Sequence, residues 1–271
     1  MKQKNSLYAL FVFFLAASYY FYDYFIQVTP SIISEELMHF FHISPAGFGL
    51  LGSTFFFSYA LMQIPAGLLL DRFGTHIILS LFACITACGL LLFATTHSFA
   101  LALLSRVFIG VGSSVAFIAS LSLIAAWFEA RYFSTLAGTL QCMGSLGSIV
   151  GLFPLSLAID HFGWRPVLFY MAAFTFILAA CFILFIKEPK KTGKKDSKKK
   201  TPIKLSNYLK TILKTPSILG IFMTSCIIWM PAGAIGVLWG IPYLEKALGI
   251  SSTQASFIIS FFWIGNAFGS I

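Results

Sequence analysis

Runs of about 20 apolar residues, the length a helix needs to cross a hydrocarbon layer roughly 30 Å thick, recur along the whole of this chain. They fall near Leu7–Val28, Gly47–Leu70, Ile77–Thr95, Phe99–Trp127, Ser134–Ile159, Arg165–Ile186, Ser217–Tyr243 and Thr253–Ile271, which predicts eight spans. The runs are continuously apolar and lack the alternation of a lipid-facing strand, so helices are expected rather than a barrel. With 58% hydrophobic residues, 10% charged residues and 31 Phe, the chain carries more apolar surface than a water-soluble core can use. The expected class is an all-α polytopic membrane protein.

Lys2 and Lys4 followed by an apolar run have the outline of a signal peptide. The run is longer than a signal h-region and leads into further spans, so an uncleaved first helix is expected. Placing the N-terminus in the cytoplasm puts Lys2, Lys4, Arg72, Arg131 and the eleven lysines between Lys187 and Lys214 on that side, fifteen of the eighteen basic residues. Arg165 and Lys246 fall opposite and Arg106 lies within a span, a distribution that follows the positive-inside rule. The net charge of +9 is therefore a topology signal and predicts no nucleic-acid partner. The five cysteines all lie in expected spans and imply no disulfide framework.

After the sixth span the sequence turns to lysine-rich, polar residues from Lys187 to Lys200. A basic linker over 187–215 is expected, touching anionic lipid headgroups. Within it, Leu205, Tyr208, Leu209, Ile212 and Leu213 share one helical face, which predicts a short interfacial helix over Ile203–Lys214. Three regions follow: a six-helix bundle over 1–186, the linker over 187–215, and two further helices over 216–271. The last run reaches Ile271 without the polar flank that bounds the others, so a truncated second bundle is expected.

Between the second and third spans lies Gly67-Leu-Leu-Leu-Asp71-Arg72-Phe-Gly74-Thr75-His76. Gly67 is expected to let its helix approach a neighbour closely, and Gly74 to take φ > 0 in the turn. Asp71 and Arg72 then sit at the water interface. Two ionisable residues fall inside spans, Asp23 and Arg106. A charge at mid-bilayer costs on the order of 2.5–3.5 kcal/mol even on the lenient insertion scale, so each needs a reason. Counting about 1.5 Å per residue from the outer ends of their helices puts both roughly 10 Å from that face, and they are expected to meet.

Tyr19, Asp23 and Gln27 form a polar stripe on the first helix, and Arg106, Gly110 and Ser114 another on the fourth. Across a cavity the two stripes predict proton coupling: protonation of Asp23 releases Arg106 for a substrate group. The alternative is a static pair that fixes two helices. Tyr59, Gln141, Trp239, Tyr243 and Asn266 are weaker cavity candidates, since interhelical hydrogen bonds and the interfacial aromatic belt also use such residues. The histidines lack the clustered spacing of a metal site. No cofactor and no catalytic constellation is expected, and an enzyme is not.

The turn resembles the signature loop of the major facilitator superfamily, Gly-x-x-x-Asp-Arg-x-Gly-Arg/Pro-Arg/Lys, with Gly67, Asp71, Arg72 and Gly74 in place and Thr75-His76 departing from the basic pair. Arg106-x-x-x-Gly110-x-Gly112 resembles the fourth-helix motif. Gly144, Gly147, Gly151 and Pro154 are similar to the glycine-rich fifth-helix motif, and Gly163-Trp164-Arg165 is also typical of the superfamily. The resemblance implies the major facilitator fold, with twelve helices in full, and a cytoplasmic gate at Gly67, Asp71, Arg72 and Gly74 with Arg131 on the same side. It also implies alternating-access transport or symport in a bacterial inner membrane.

Within the superfamily, Phe21–Ser31, Met62–Gly67 and Trp239–Leu244 are similar to the phagosomal transporter branch and more distantly to lysosomal dipeptide transporters. That implies a small polar substrate such as an amino acid, peptide or nucleoside. Tyr24 and Ser113 stand where organic-anion symporters of the superfamily commonly carry arginine and glutamate, which argues against a sugar-acid or dicarboxylate.

Overall fold

A computed structural model describes residues 6–187 and 215–270. The expected lipid-binding linker, its interfacial helix over Ile203–Lys214, Lys2, Lys4 and Ile271 lie outside the described residues. All regular structure among the described residues is helical: α1 (Ser6–Ile32), α2 (Ser34–Phe40), α3 (Pro45–Phe73), α4 (Thr75–Thr95), α5 (Phe99–Ser113), α6 (Ala116–Trp127), α7 (Phe133–Phe162) and α8 (Trp164–Phe185). After the linker come α9 (Pro216–Pro231), a π-helical segment (Ala232–Trp239), α10 (Gly240–Leu248) and α11 (Ser252–Gly269). Seven segments are long and apolar enough to cross a membrane by length and composition. The eighth expected span is the helix α11, which Gln254, Asn266 and several serines keep out of that set.

Element ends follow local chemistry. Ser44 accepts a hydrogen bond from the Gly47 amide and Pro45 occupies the first turn of α3, where a missing N–H costs nothing. α11 begins with a full capping box between Ser251 and Gln254. The turn into α4 passes through Gly74 at φ 90°, as expected for that glycine. α1 runs past the expected end at Val28 and through Pro30; Thr29 and Ser31 hydroxyls donate to the Phe25 and Val28 carbonyls around it. The expected span Phe99–Trp127 breaks after Ser113. Gly112, Ser113 and Ser114 weaken the helix there, and the Ser114 hydroxyl bonds back to the Val111 carbonyl.

α1 runs through the middle of the bundle. It crosses α7 so closely that a Cβ on Gly147 would run into the Phe21 carbonyl, and one on Gly151 would stand 2.8 Å from Phe25 Cα. Small residues permit this approach, and close packing is what holds helices together in lipid. Gly110 faces α3 and Gly112 faces α4 in the same manner. Gly67 does not behave as expected: nothing lies within 4 Å of an added Cβ, because that side of α3 is open. α11 lies along α7 from end to end, with Thr253 donating to Asp160 at one end and Ser270 beside Gly138 at the other. α9 buries none of its residues.

Candidate functional site

Asp23 is fully buried on α1. The Gln27 amide, one turn on, donates to its Oδ2 at 2.9 Å, and Ser113 of α5 is a near neighbour. Its Oδ1 is buried without any partner. Arg106, 3% exposed, lies in the same region. Contrary to the expected meeting, the two do not form an ion pair: among the described residues the Arg131–Glu129 pair is the one salt bridge. The Arg106 guanidinium is instead stacked over the Phe55 ring of α3, 4.8 Å from its centroid, with Nε unpartnered. The aromatic face offers the cation a partner on α3, while Gln27 donates to the carboxylate.

The Tyr19 stripe is also divided. The Tyr19 hydroxyl lies 3.0 Å from Thr86 Oγ1 and donates to the Gly112 carbonyl at 3.1 Å, so it ties α1 to α4 and α5. Gln27, by contrast, joins Asp23 to a cavity of about 540 Å³ between α1, α3, the end of α9, the π-helical segment and α11. Tyr59 and Trp239 line that cavity, as expected for substrate candidates, together with Tyr24, Phe55 and Trp263. Asp23 and Arg106 sit behind this wall, one next to Gln27 and the other behind Phe55.

Gln141 belongs to a second polar cluster. Tyr20 donates to Gln141 Oε1 at 3.0 Å, its oxygen lies 3.2 Å from the Tyr24 hydroxyl, and the Gln141 amide donates to Tyr24 at 3.4 Å. Asn266 donates to the Ser145 hydroxyl at 2.9 Å, an α11–α7 contact. Tyr243 is 70% exposed and lines no described cavity.

Residues 9–271 match the family described as the Major Facilitator Superfamily. The chain belongs to that superfamily. It is similar to the probable galactarate/D-glucarate transporter of Bacillus subtilis (strain 168), with 26% identity over 93% of this chain and 60% of that protein. It is also similar to the cis,cis-muconate transport protein of Acinetobacter baylyi (strain ATCC 33305 / BD413 / ADP1), with 33% identity over 55% of this chain and 36% of that protein. Among solved structures, a bacterial homologue of the human lysosomal transporter Spinster, inward-facing and unoccupied, superposes with a TM-score of 0.78 at 21% identity. That match covers 97% of this chain and 61% of the other, and at such identity it speaks for the fold alone. The chain spans less than two thirds of the length of these relatives. The two curated relatives named here are organic-acid carriers by name, not members of the phagosomal amino acid or nucleoside branch.

The turn at Gly74 joins α3 to α4. Asp71 and Arg72 are exposed, and the Arg72 guanidinium rests 5.1 Å from the Phe73 ring centroid. Arg131 pairs with its near neighbour Glu129 at 2.9 Å, both side chains being exposed, and not with Asp71.

Sequence reasoning missed three participants. Ser113 was visible only as a departure from a family pattern, yet it is a neighbour of Asp23. Phe55 looked like one apolar residue among many. Trp263 is 1% exposed and donates its indole N–H to the Gly236 carbonyl at 3.0 Å; a tryptophan within a span, whose N–H must find an acceptor, was the available signal.

Proposed function

We propose that this chain forms the substrate path of a secondary active transporter for a small polar metabolite, working by alternating access and coupled to protons at Asp23. The observation that carries the reading is the buried carboxylate whose Oδ1 has no partner, joined through Gln27 to the cavity wall. Oδ1 can take a proton without giving up any hydrogen bond. Arg106, buried and held by no ion pair, supplies the fixed positive charge that such a cycle needs nearby. Gln27, Tyr59 and Trp239 contact substrate; Tyr19 and Gln141 hold the surrounding helices. The turn of Gly67, Asp71, Arg72 and Gly74, with Arg131, forms the cytoplasmic gate in the closed state.

In this reading residues 1–186 are one bundle, 187–215 a cytoplasmic linker against anionic lipid, and 216–271 the start of a second bundle. The N-terminus is cytoplasmic and the membrane is a bacterial inner membrane. Substrate classes to be compared are amino acids, peptides and nucleosides, from the resemblance of the α1 and α3 motifs, and organic acids, from the names of the relatives.

The test is uptake of a radiolabelled panel of these compounds into proteoliposomes under an imposed pH gradient. Saturable uptake that collapses with the gradient supports the reading. Saturable uptake indifferent to the gradient removes the proton from it. No uptake of any compound favours the alternative, that these 271 residues do not transport on their own.

A further inference from the structure

Three of the chain's five tryptophans, Trp229, Trp239 and Trp263, stand on the wall of one cavity. In a chain with 31 Phe, phenylalanine on any wall carries no information. Tryptophan is scarce here, and its concentration at one place does carry some. Tyr24 and Tyr59 add two more rings. Two glycines keep the space between them open: a Cβ at Gly49 would press on the Trp239 ring at 3.2 Å, and one at Gly233 would meet nothing. Neighbouring rings fix the positions, Trp239 edge-on against Phe48 at 5.5 Å and Trp263 edge-on against Tyr24 at 5.6 Å.

No acidic or basic side chain is among the lining residues. An anion entering such a wall would lose hydration without gaining a counter-charge, which is costly. Trp263 and Tyr24 are buried in the wall, but a flat uncharged ring loses little hydration and can stack on Trp229, Trp239 or Tyr59, which are at least partly exposed. The polar group best placed to orient it is Gln27. An ionised Asp23 can only accept, so the amide turns its nitrogen toward Asp23 and its Oε1 away from it. A ligand N–H is the matching donor.

We infer that the cavity between α1, α3, the end of α9, the π-helical segment and α11 binds an uncharged, planar heteroaromatic ring bearing an N–H donor, stacked on tryptophan and hydrogen-bonded to Gln27. This rests on the transporter reading only for its biological use; binding itself can be measured without transport.

The experiment is a titration of the purified chain in lipid nanodiscs, read by selectively excited tryptophan fluorescence. Uracil and nicotinamide serve as flat neutral probes and D-glucarate as an aliphatic dianion. The expected result is saturable quenching by the rings and none by glucarate. Trp239→Leu should weaken ring binding about tenfold, the size of one lost stacking partner, while Trp239→Phe restores most of it and thermal unfolding of both variants stays close to the parent. Saturable binding of glucarate in preference to the rings overturns the proposal, as does an absence of saturable quenching by either ring, or ring binding unmoved by Trp239→Leu. Ring binding without uptake of any compound, with or without a gradient, would leave this inference standing and remove the transporter reading, so the two failures are distinguishable.

Discussion

The Gln27 amide nitrogen stands 2.9 Å from Asp23 Oδ2, and the same side chain forms part of the cavity wall. Through this contact a change at a carboxylate sealed from water reaches the surface a substrate would touch. With Asp23 ionised the amide offers its oxygen to the cavity; with Asp23 protonated the carboxyl can donate, and the amide is free to turn its N–H₂ there instead. A proton on Asp23 would thus change which hydrogen-bonding group the cavity presents.

Asp23→Asn imitates the protonated state permanently. The expected outcome is loss of accumulation driven by a pH gradient with exchange of internal for external substrate retained, measured by paired uptake and counterflow assays. Retention of gradient-driven accumulation would remove Asp23 from the coupling step.

Gly147→Ala should destabilise the protein by about 1–3 kcal/mol, the usual range for overpacking, because the new methyl group meets the Phe21 carbonyl of α1, a backbone atom that cannot rotate away. Gly67→Ala, where an added Cβ meets nothing within 4 Å, should leave stability unchanged or slightly raised. Thermal unfolding of the two variants in one detergent makes the comparison. Equal effects would mean that the α1–α7 crossing is looser than it looks.

These contrasts show what a one-dimensional pattern can and cannot carry. Span positions, the turn at Gly74 and the burial of Asp23 follow from hydropathy, chirality and residue chemistry, which are local. The expected Asp23–Arg106 pair rests on depth along two helices. Depth leaves rotation about each helix axis free, and that rotation, with the side-chain conformation of Arg106, takes its guanidinium to Phe55. Gly67 and Gly147 are the same residue type in similar apolar surroundings. Only the placement of α1 against α7 makes one of them indispensable. Trp263 needed its acceptor, Gly236, to be known, and that carbonyl lies 27 residues away on a segment whose π-helical winding no periodicity announces.

Glu36 lies on α2, beyond the end of the first span. Its side chain is exposed, but partial desolvation by the surrounding protein still pushes its carboxyl above the usual value, and the neighbouring Glu35 and Asp160 push the same way. The folded state therefore holds this proton more tightly than the unfolded chain does. The resulting stabilisation is present below the ordinary glutamate value of about 4.3 and is lost as pH rises through the raised one. Glu36→Gln should accordingly gain stability relative to the parent as pH goes from about 4 to neutrality. A difference that stays constant across that window, in thermal unfolding at matched ionic strength, would remove Glu36 as a contributor.

Trp263→Phe keeps an aromatic ring against Tyr24 and removes only the indole N–H that reaches Gly236. The loss of one hydrogen bond from a buried site should cost about 1 kcal/mol. Trp263→Ala also empties the space the ring fills, and should cost roughly 3–5 kcal/mol. The two costs separate through where they act. The first should be confined to the π-helical segment, so amide exchange over 232–239 should quicken in Trp263→Phe while α4 and α8 keep their protection. The second should loosen α1 and α11 as well, since Trp263 is among the largest fully buried side chains. Hydrogen exchange read by mass spectrometry on both variants decides the matter. Unchanged exchange over 232–239 in Trp263→Phe would show that the segment keeps its π-helical winding without the Trp263–Gly236 hydrogen bond.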